Sequence, residues 1–253
     1  MKRVNRIRFG YEWLDEILPE GISYPTSTLI SGPGGTGKPL VGFAFISSWL
    51  KNGGSIVLIS IQYKNMDFIK ITTKELYGID LDDYKDRILY IQFNPDIDSV
   101  ERKNRNHLEA NLLKPENWDK TINIATEIKK NENPGMLIFA SALNILLFSP
   151  TYREALVSKI GEILLKEKSN TYVFTVSTSA FKEEIANWEE KSDNLIMTRM
   201  EKPMRLFLRI LRMKDVEFLK KEIEVPASKQ MLMKIKEVSE SSRNRIIPIL
   251  SKM

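Results

Sequence analysis

One short glycine-rich segment constrains this chain more than any other part of its sequence. Residues 32–38 read Gly-Pro-Gly-Gly-Thr-Gly-Lys, which fits the pattern G-x-x-x-x-G-K. An apolar run at residues 27–31 precedes it, and a helical pattern at residues 40–50 follows. Glycines allow successive backbone N–H groups to turn toward a polyphosphate, while the lysine reaches the terminal phosphates and the helix presents its positive end. The sequence therefore predicts a phosphate-binding loop formed by Gly32, Gly34, Gly35, Thr36, Gly37, Lys38 and Pro39.

The residue that follows the lysine departs from this pattern. The motif calls for Ser or Thr there, because that hydroxyl is a ligand of Mg²⁺. Pro39 has no hydroxyl and no backbone N–H, so a metal ligand and a phosphate donor are both missing. Proline is well tolerated in the first turn of a helix, so the fold survives the change. We therefore expect ATP or ADP to bind weakly and Mg²⁺ to be poorly held.

The alternation of apolar and helical patterns predicts an α/β fold with a mostly parallel sheet flanked by helices. The predicted strands are residues 27–31, 55–61, 88–93, 135–140 and 171–176. The predicted helices are residues 40–50, 66–77, 117–130 and 153–168. In the last third, residues 194–200, 204–211 and 221–225 alternate apolar and polar side chains, which predicts antiparallel strands added to one edge of the sheet.

Composition excludes several classes of protein. The 253 residues contain no cysteine and one histidine, so disulfide scaffolds, cysteine-zinc clusters and thiol nucleophiles are excluded. The histidine, His107, lies in a polar stretch that we interpret as an exposed loop or helix start. No apolar run reaches 18 residues and no secretory leader is visible, which predicts a cytoplasmic protein without membrane contact. The net charge of +5 permits a polyanionic partner without requiring one.

Beyond the loop, the chain resembles the RecA superfamily, specifically its archaeal KaiC-like and RadA-related branch. Residues 10–18 and Gly21 are similar to the opening of that family, and residues 209–214 resemble a late strand that ends in a basic sequence. The resemblance covers residues 3–226 in order. It implies one RecA-like domain over residues 1–253, with a C-terminal extension at residues 227–253, and assembly with like or related subunits.

The resemblance also identifies positions where catalytic groups are missing. The family places glutamate at the end of its second strand to activate water, and here Gln62 stands in that segment. The family ends its Walker B strand with an aspartate that holds the metal's water shell. Ala140 stands there, with Ser141 as a poor substitute in the next position. We therefore predict no confident catalytic residue and no metal ligand beyond Ser141.

The leading hypothesis is a P-loop protein with weak or lost ATP hydrolysis that acts as a nucleotide-binding regulatory or assembly subunit. One alternative is an active ATPase in which Ser141 or Thr36 holds Mg²⁺ and Gln62 or a neighbour's residue positions water. Another is a DNA-binding recombinase accessory protein. The loop at residues 177–191 carries two basic and four acidic side chains, which disfavours nucleic acid there. The apolar tail at residues 246–253 is expected either to fold back on the domain or to dock on another protein or copy.

Overall fold

A computed structural model describes residues 5–63, 65–128, 133–166 and 168–253. Its strands form a two-stranded sheet, β1–β2, and a ten-stranded sheet in the order β12-β11-β10-β3-β9-β8-β4-β5-β7-β6. The strands are β1 Asn5–Ile7, β2 Ile22–Tyr24, β3 Ser27–Ser31, β4 Ser55–Ser60, β5 Ile88–Phe93, β6 Val100–Asn104, β7 His107–Ala110, β8 Met136–Ser141, β9 Thr171–Thr175, β10 Asn194–Glu201, β11 Arg205–Arg212 and β12 Glu222–Glu224.

The helices lie between these strands, apart from one that ends the chain. They are α1 Glu12–Asp15, α2 Lys38–Lys51, α3 Asp67–Tyr77, α4 Pro115–Ile128, α5 Arg153–Lys166, α6 Lys182–Lys191 and α7 Lys229–Leu250. Two 3-10 helices, Leu81–Arg87 and Leu143–Phe148, follow α3 and β8. The ends predicted for α4 and α5 extended to positions 130 and 168. Residues 129–132 and residue 167 lie outside the described part of the chain.

The central strands confirm the predicted parallel sheet. From β10 through β3, β9, β8, β4 and β5 to β7, every neighbouring pair is parallel. β11 and β12 add antiparallel strands at one edge, as the alternating pattern in the last third predicted. The opposite edge holds the antiparallel pair β6–β7, which was not predicted. His107 begins β7, and its ring lies 5.2 Å from that of Tyr90 at a tilt of 49°, so its assignment to an exposed loop or helix start is wrong.

Two apolar clusters cover the two faces of the large sheet. Side chains alternate along each strand, so Phe139 of β8 joins one cluster and Ala140 joins the other. Helix α2 lies on the Phe139 face, and every residue of this helix before Lys51 is buried. An ideal Cβ on Gly42 would come within 2.2 Å of Phe139 Cε2, so glycine allows α2 to approach β8 closely. This close packing places the start of α2 at the carboxyl end of β3.

The C-terminal extension forms one long helix, α7, where the sequence suggested a polar spacer and an apolar tail. Ser228 caps α7 by accepting a hydrogen bond from the Met231 N–H. Leu232 and Ile235 are buried in the α2-side cluster, whereas Ile246 and Leu250 are buried in the other one. The tail therefore folds back onto the domain, and α7 crosses the carboxyl edge of the sheet from one face to the other. Of the helices described, none is both long and apolar enough to cross a membrane.

Candidate phosphate-binding site

The glycine-rich loop lies between the carboxyl end of β3 and the amino end of α2. Gly37 precedes the helix with φ +62°, a conformation that glycine adopts without steric cost. Lys38 is the first residue of α2, and Pro39 follows in its first turn, where the absent N–H breaks no helical hydrogen bond. The strand–loop–helix context that the motif requires is therefore present.

The Lys38 side chain is buried, with 6% of its surface exposed, and its ammonium group turns back onto the loop. Nζ donates to Gly32 O at 3.0 Å, to Pro33 O at 2.5 Å and to Thr36 Oγ1 at 3.1 Å. These acceptors are uncharged. Burial, with a smaller contribution from the positive charge of Arg243, lowers the pKa of Lys38 from 10.5 to about 7. Lys38 is thus a buried cation without a carboxylate partner among the described residues.

Two further polar groups of the loop already have partners. Thr36 Oγ1 donates to Pro33 O at 2.9 Å, receives the bond from Lys38, and lies 2.9 Å from Thr198 Oγ1. The Gly34 N–H donates to Ser179 Oγ at 2.8 Å. The Thr36 hydroxyl is therefore part of an internal network, which leaves it poorly placed to serve as a metal ligand.

A cavity of about 50 Å³ remains above the loop. Its walls come from the loop, from the segments that follow β4, β8 and β9, and from α7. The lining residues are Gly34, Gly35, Thr36, Gly37, Lys38, Pro39, Gln62, Ala142, Asn144, Ile145, Thr175, Ser177, Ile235, Lys236, Ser239 and Arg243. Three of them are cations (Lys38, Lys236 and Arg243), and none is a carboxylate. The cavity therefore has the charge that favours an anion.

Helix α7 forms the roof of this cavity. Leu232 packs on the end of the loop, since an ideal Cβ on Gly37 would lie 3.1 Å from Leu232 Cδ2. Arg243 reaches the middle of the loop, and an ideal Cβ on Gly34 would lie 3.3 Å from Arg243 Nη1. Sequence reasoning missed this roof. The signals for it were a Ser cap at position 228 and apolar residues at helical spacing, namely Leu232, Ile235, Ile246 and Ile249.

The positions proposed to have lost catalytic groups are only partly brought together. Gln62 is buried and lines the cavity. Ala140 is fully buried in the cluster on the face opposite α2, and neither it nor Ser141 is part of the cavity wall. The nearest wall residues after β8 are Ala142, whose N–H donates to Thr175 Oγ1, and Asn144, whose Oδ1 accepts from the Ser177 N–H.

These groups fit a phosphate better than they fit a magnesium ion. Three glycines, Lys38 and Arg243 line the cavity, and backbone N–H, ammonium and guanidinium groups all suit phosphate oxygens. Mg²⁺ prefers carboxylate and hydroxyl oxygens in octahedral geometry. The cavity wall has no carboxylate, position 39 has no hydroxyl, and the Thr36 hydroxyl is already hydrogen-bonded. The loop therefore fits a phosphate group, whereas the described wall of the cavity offers a metal ion only uncharged oxygen atoms.

Comparison with known proteins agrees with the architecture. The family model described as "ATPase: KaiC" matches residues 7–239. Among solved structures, the chain is similar to the KaiC-like protein PH0186 from the hyperthermophilic archaeon Pyrococcus horikoshii OT3. The TM-score is 0.63 at 17% identity, covering 88% of this chain and 94% of that one. The sequence matches no curated protein. With its RecA-like sheet, its phosphate-binding loop and a family match over most of its length, the chain belongs to the KaiC family of P-loop ATPases.

Proposed function

We propose that this chain is a KaiC-like pseudo-ATPase, which binds nucleotide phosphates weakly at the 32–38 loop and hydrolyses ATP slowly or not at all. One observation carries the proposal: the described wall of the cavity beside Lys38 has three basic side chains and no carboxylate. Phosphoryl transfer in P-loop enzymes depends on Mg²⁺ to neutralise charge and on a positioned water. Pro39, Ala140 and Gln62 remove three separate parts of that chemistry.

The roof over the loop supports a regulatory role. A cavity of about 50 Å³ is far smaller than the several hundred Å³ that a drug-sized ligand occupies. A whole nucleotide therefore requires α7 to move, and this requirement lowers its apparent affinity. A site that binds weakly and couples binding to a helix movement suits a subunit that responds to nucleotide. It does not suit one that turns over nucleotide rapidly.

We further propose that the chain assembles with copies of itself or with related RecA-family subunits in the cytoplasm, as its family resemblance implies. The solution mass of the purified protein, measured by light scattering at two concentrations, tests this part. A monomer at both concentrations, alone and with ATP, contradicts self-assembly.

Titration of a fluorescent ATP analogue, with Mg²⁺ or with EDTA, tests the nucleotide proposal. We expect weak binding whose dissociation constant differs by less than about threefold between the two conditions, and phosphate release at background rate. Lys38→Met removes the binding, whereas Lys234→Met, an exposed lysine on α7, leaves it unchanged. A rise in affinity of more than about tenfold with Mg²⁺, together with turnover that Lys38→Met abolishes, supports the active ATPase instead.

A further inference from the structure

Helix α7 contributes more than a roof, because it brings positive charge to a site whose metal ligands are missing. Arg243 and Lys236 come from a segment more than 190 residues after the loop, yet both line the loop cavity. Arg243 lies beyond residues 7–239, the part of the chain that the KaiC family model matches. Arg243 is therefore a feature of the C-terminal helix outside the matched region, whereas Lys236 lies within that region.

The two cations of α7 differ in their partners. Lys236 lies 3.9 Å from Glu240, one turn along the helix, so part of its charge is already compensated. Arg243 forms no ion pair or hydrogen bond with any residue that the structure describes. Its guanidinium contacts the loop at Gly34, beside the Ser177 and Ser179 hydroxyls. A guanidinium offers five N–H donors in a planar arrangement that matches phosphate oxygens.

The unpaired charge of Arg243 has an electrostatic effect on Lys38. The Arg243 charge adds to burial in lowering the pKa of Lys38, so each cation destabilises the other. An anion between them removes this repulsion and gains two charge-assisted interactions. No carboxylate lines the described wall of the cavity, so an anion bound between these cations would be a ligand from outside the described chain.

We propose that Arg243 is the phosphate-binding residue that replaces the divalent cation at this loop, so that the site selects a phosphate group free of Mg²⁺. This inference rests on the proposed function, because it concerns the same loop. With α7 in place, the cavity of about 50 Å³ accommodates a few waters or one phosphate group, and no nucleoside. The phosphate comes either from inorganic phosphate, with α7 docked, or from a nucleotide, with α7 displaced.

Calorimetric titration in EDTA tests the proposal, with inorganic phosphate and ADP as separate probes. We expect Arg243→Gln to weaken phosphate binding by about tenfold or more. Arg245→Gln is the matched control, because Arg245 is an exposed arginine on the same helix outside the cavity. It should change affinity by less than twofold, and Lys236→Gln should have an intermediate effect. Thermal unfolding of each variant establishes that it is folded.

Position 239 distinguishes the two sources of phosphate. The chain has no cysteine, so Ser239→Cys places a single thiol on the wall of the cavity. Inorganic phosphate should slow the reaction of this thiol with a maleimide, because α7 stays docked. ADP should accelerate the reaction if the nucleotide displaces the helix. Either change supports a phosphate site under α7, and the sign identifies the source.

The outcomes separate this inference from the proposed function. If Arg243→Gln binds phosphate and ADP as tightly as the unmodified chain does, Arg243 is not a ligand, and nucleotide binding at the loop still stands. If Mg²⁺ improves ADP affinity more than tenfold, the replacement of the metal is wrong even where Arg243 contributes. If neither probe binds the unmodified chain or the Arg245→Gln variant, both the inference and the proposed nucleotide site fail.

Discussion

A charged side chain is buried at each end of strand β3. One of them is paired with opposite charge, and the other has no ion-pair partner among the described residues. At the amino end lies Asp193, with 13% of its side chain exposed. At the carboxyl end lies Lys38, with 6% of the residue exposed. Only five residues of one strand separate the two regions. The two regions therefore differ in whether the buried charge has an ion-pair partner among the described residues.

The Asp193 carboxylate is fully compensated within the chain. It accepts hydrogen bonds from Lys168 Nζ at 2.5 Å, from Lys214 Nζ at 2.9 Å and from the Ser27 N–H at 3.0 Å. Burial by itself raises the pKa of Asp193, but the bonds from Lys168, Ser27 and Lys214 outweigh burial, and the pKa falls below its ordinary value. This cluster joins the starts of β3 and β10. Both oxygens of the Asp193 carboxylate already accept hydrogen bonds within the chain.

The Lys38 ammonium has the opposite environment. Its acceptors are two backbone carbonyls and a hydroxyl, and the positive charge of Arg243 adds to burial in lowering its pKa. Its charged form is therefore disfavoured in the folded chain, whereas the charged form of Asp193 is favoured. Natural proteins keep such uncompensated charge where function requires it. The comparison thus separates an ion cluster that is paired within the chain from an unpaired charge at the proposed binding site.

The largest expected change in stability comes from removing the Asp193 charge at the amino end of β3. Asp193→Asn leaves two lysines without their acceptor, so we expect the free energy of unfolding at pH 7 to fall by about 2 to 3 kcal/mol. Because folding lowers the pKa of Asp193, its contribution is present above about pH 4 and is lost as the pH falls further. Urea unfolding at pH 7 and pH 3 measures both effects.

The exposed pair Lys221–Glu16 supplies the control for this change, because 58% of the Lys221 side chain and 50% of the Glu16 side chain are exposed. Glu16→Gln should alter stability by less than about 0.5 kcal/mol. Equal losses for Asp193→Asn and Glu16→Gln would mean that the buried cluster at the start of β3 contributes no more than an exposed ion pair.

At the carboxyl end of β3, removing the Lys38 charge is expected to raise stability by a smaller amount. Lys38→Met removes a buried cation, so we expect stability at pH 6 to rise by about 1 to 2 kcal/mol, since part of the gain is offset by unpaired loop carbonyls. The folded-state pKa of about 7 lies below the ordinary 10.5, so the unmodified chain gains stability as the pH rises from about 7 to 10. The advantage of the variant should shrink over that range in urea unfolding. A loss of stability at pH 6 would show that the Lys38 charge supports the fold.

A third prediction concerns an added anion, which would give Lys38 the ion-pair partner that Asp193 already has. Phosphate at ten times its dissociation constant should stabilise the chain by about 1.4 kcal/mol through mass action. It should also move the rise of stability with pH to higher pH, because a bound anion raises the pKa of Lys38. Unfolding with phosphate, against chloride of equal ionic strength, measures both. An identical response of the Lys38→Met variant would place the anion elsewhere.

The smallest effect is expected from restoring one lost group. Pro39→Ser returns a hydroxyl and an N–H to the first turn of α2. We expect the ratio of nucleotide affinities with Mg²⁺ and with EDTA to change by less than about threefold, because no carboxylate lines the cavity to hold the metal's water shell. Equilibrium titration of both chains provides this ratio. A tenfold gain would show that Pro39 alone prevents metal binding.

The local sequence pattern was sufficient to predict the central strands of the sheet and the helix after the loop. The five predicted core strands and the helix after the loop were each placed to within two residues, because buried parallel strands are continuous apolar runs and the loop glycines mark the turn. Alternation also predicted β10, β11 and β12, although β10 runs parallel to β3 and only its pairing with β11 is antiparallel. The β6–β7 pair could not be recognised, since residues 101–107 are polar and the pairing of β7 with β5 depends on tertiary contact.

The sequence by itself determined the loop, the sheet that presents it and the absence of a hydroxyl at position 39, because these depend on residue type and near neighbours. Tertiary structure alone decided that α7 crosses the carboxyl edge of the sheet and that Arg243 meets Gly34. The physical reason is distance along the chain. More than 200 residues separate these two groups, and only the packing of Leu232, Ile235, Ile246 and Leu250 into two clusters brings the cation to the loop.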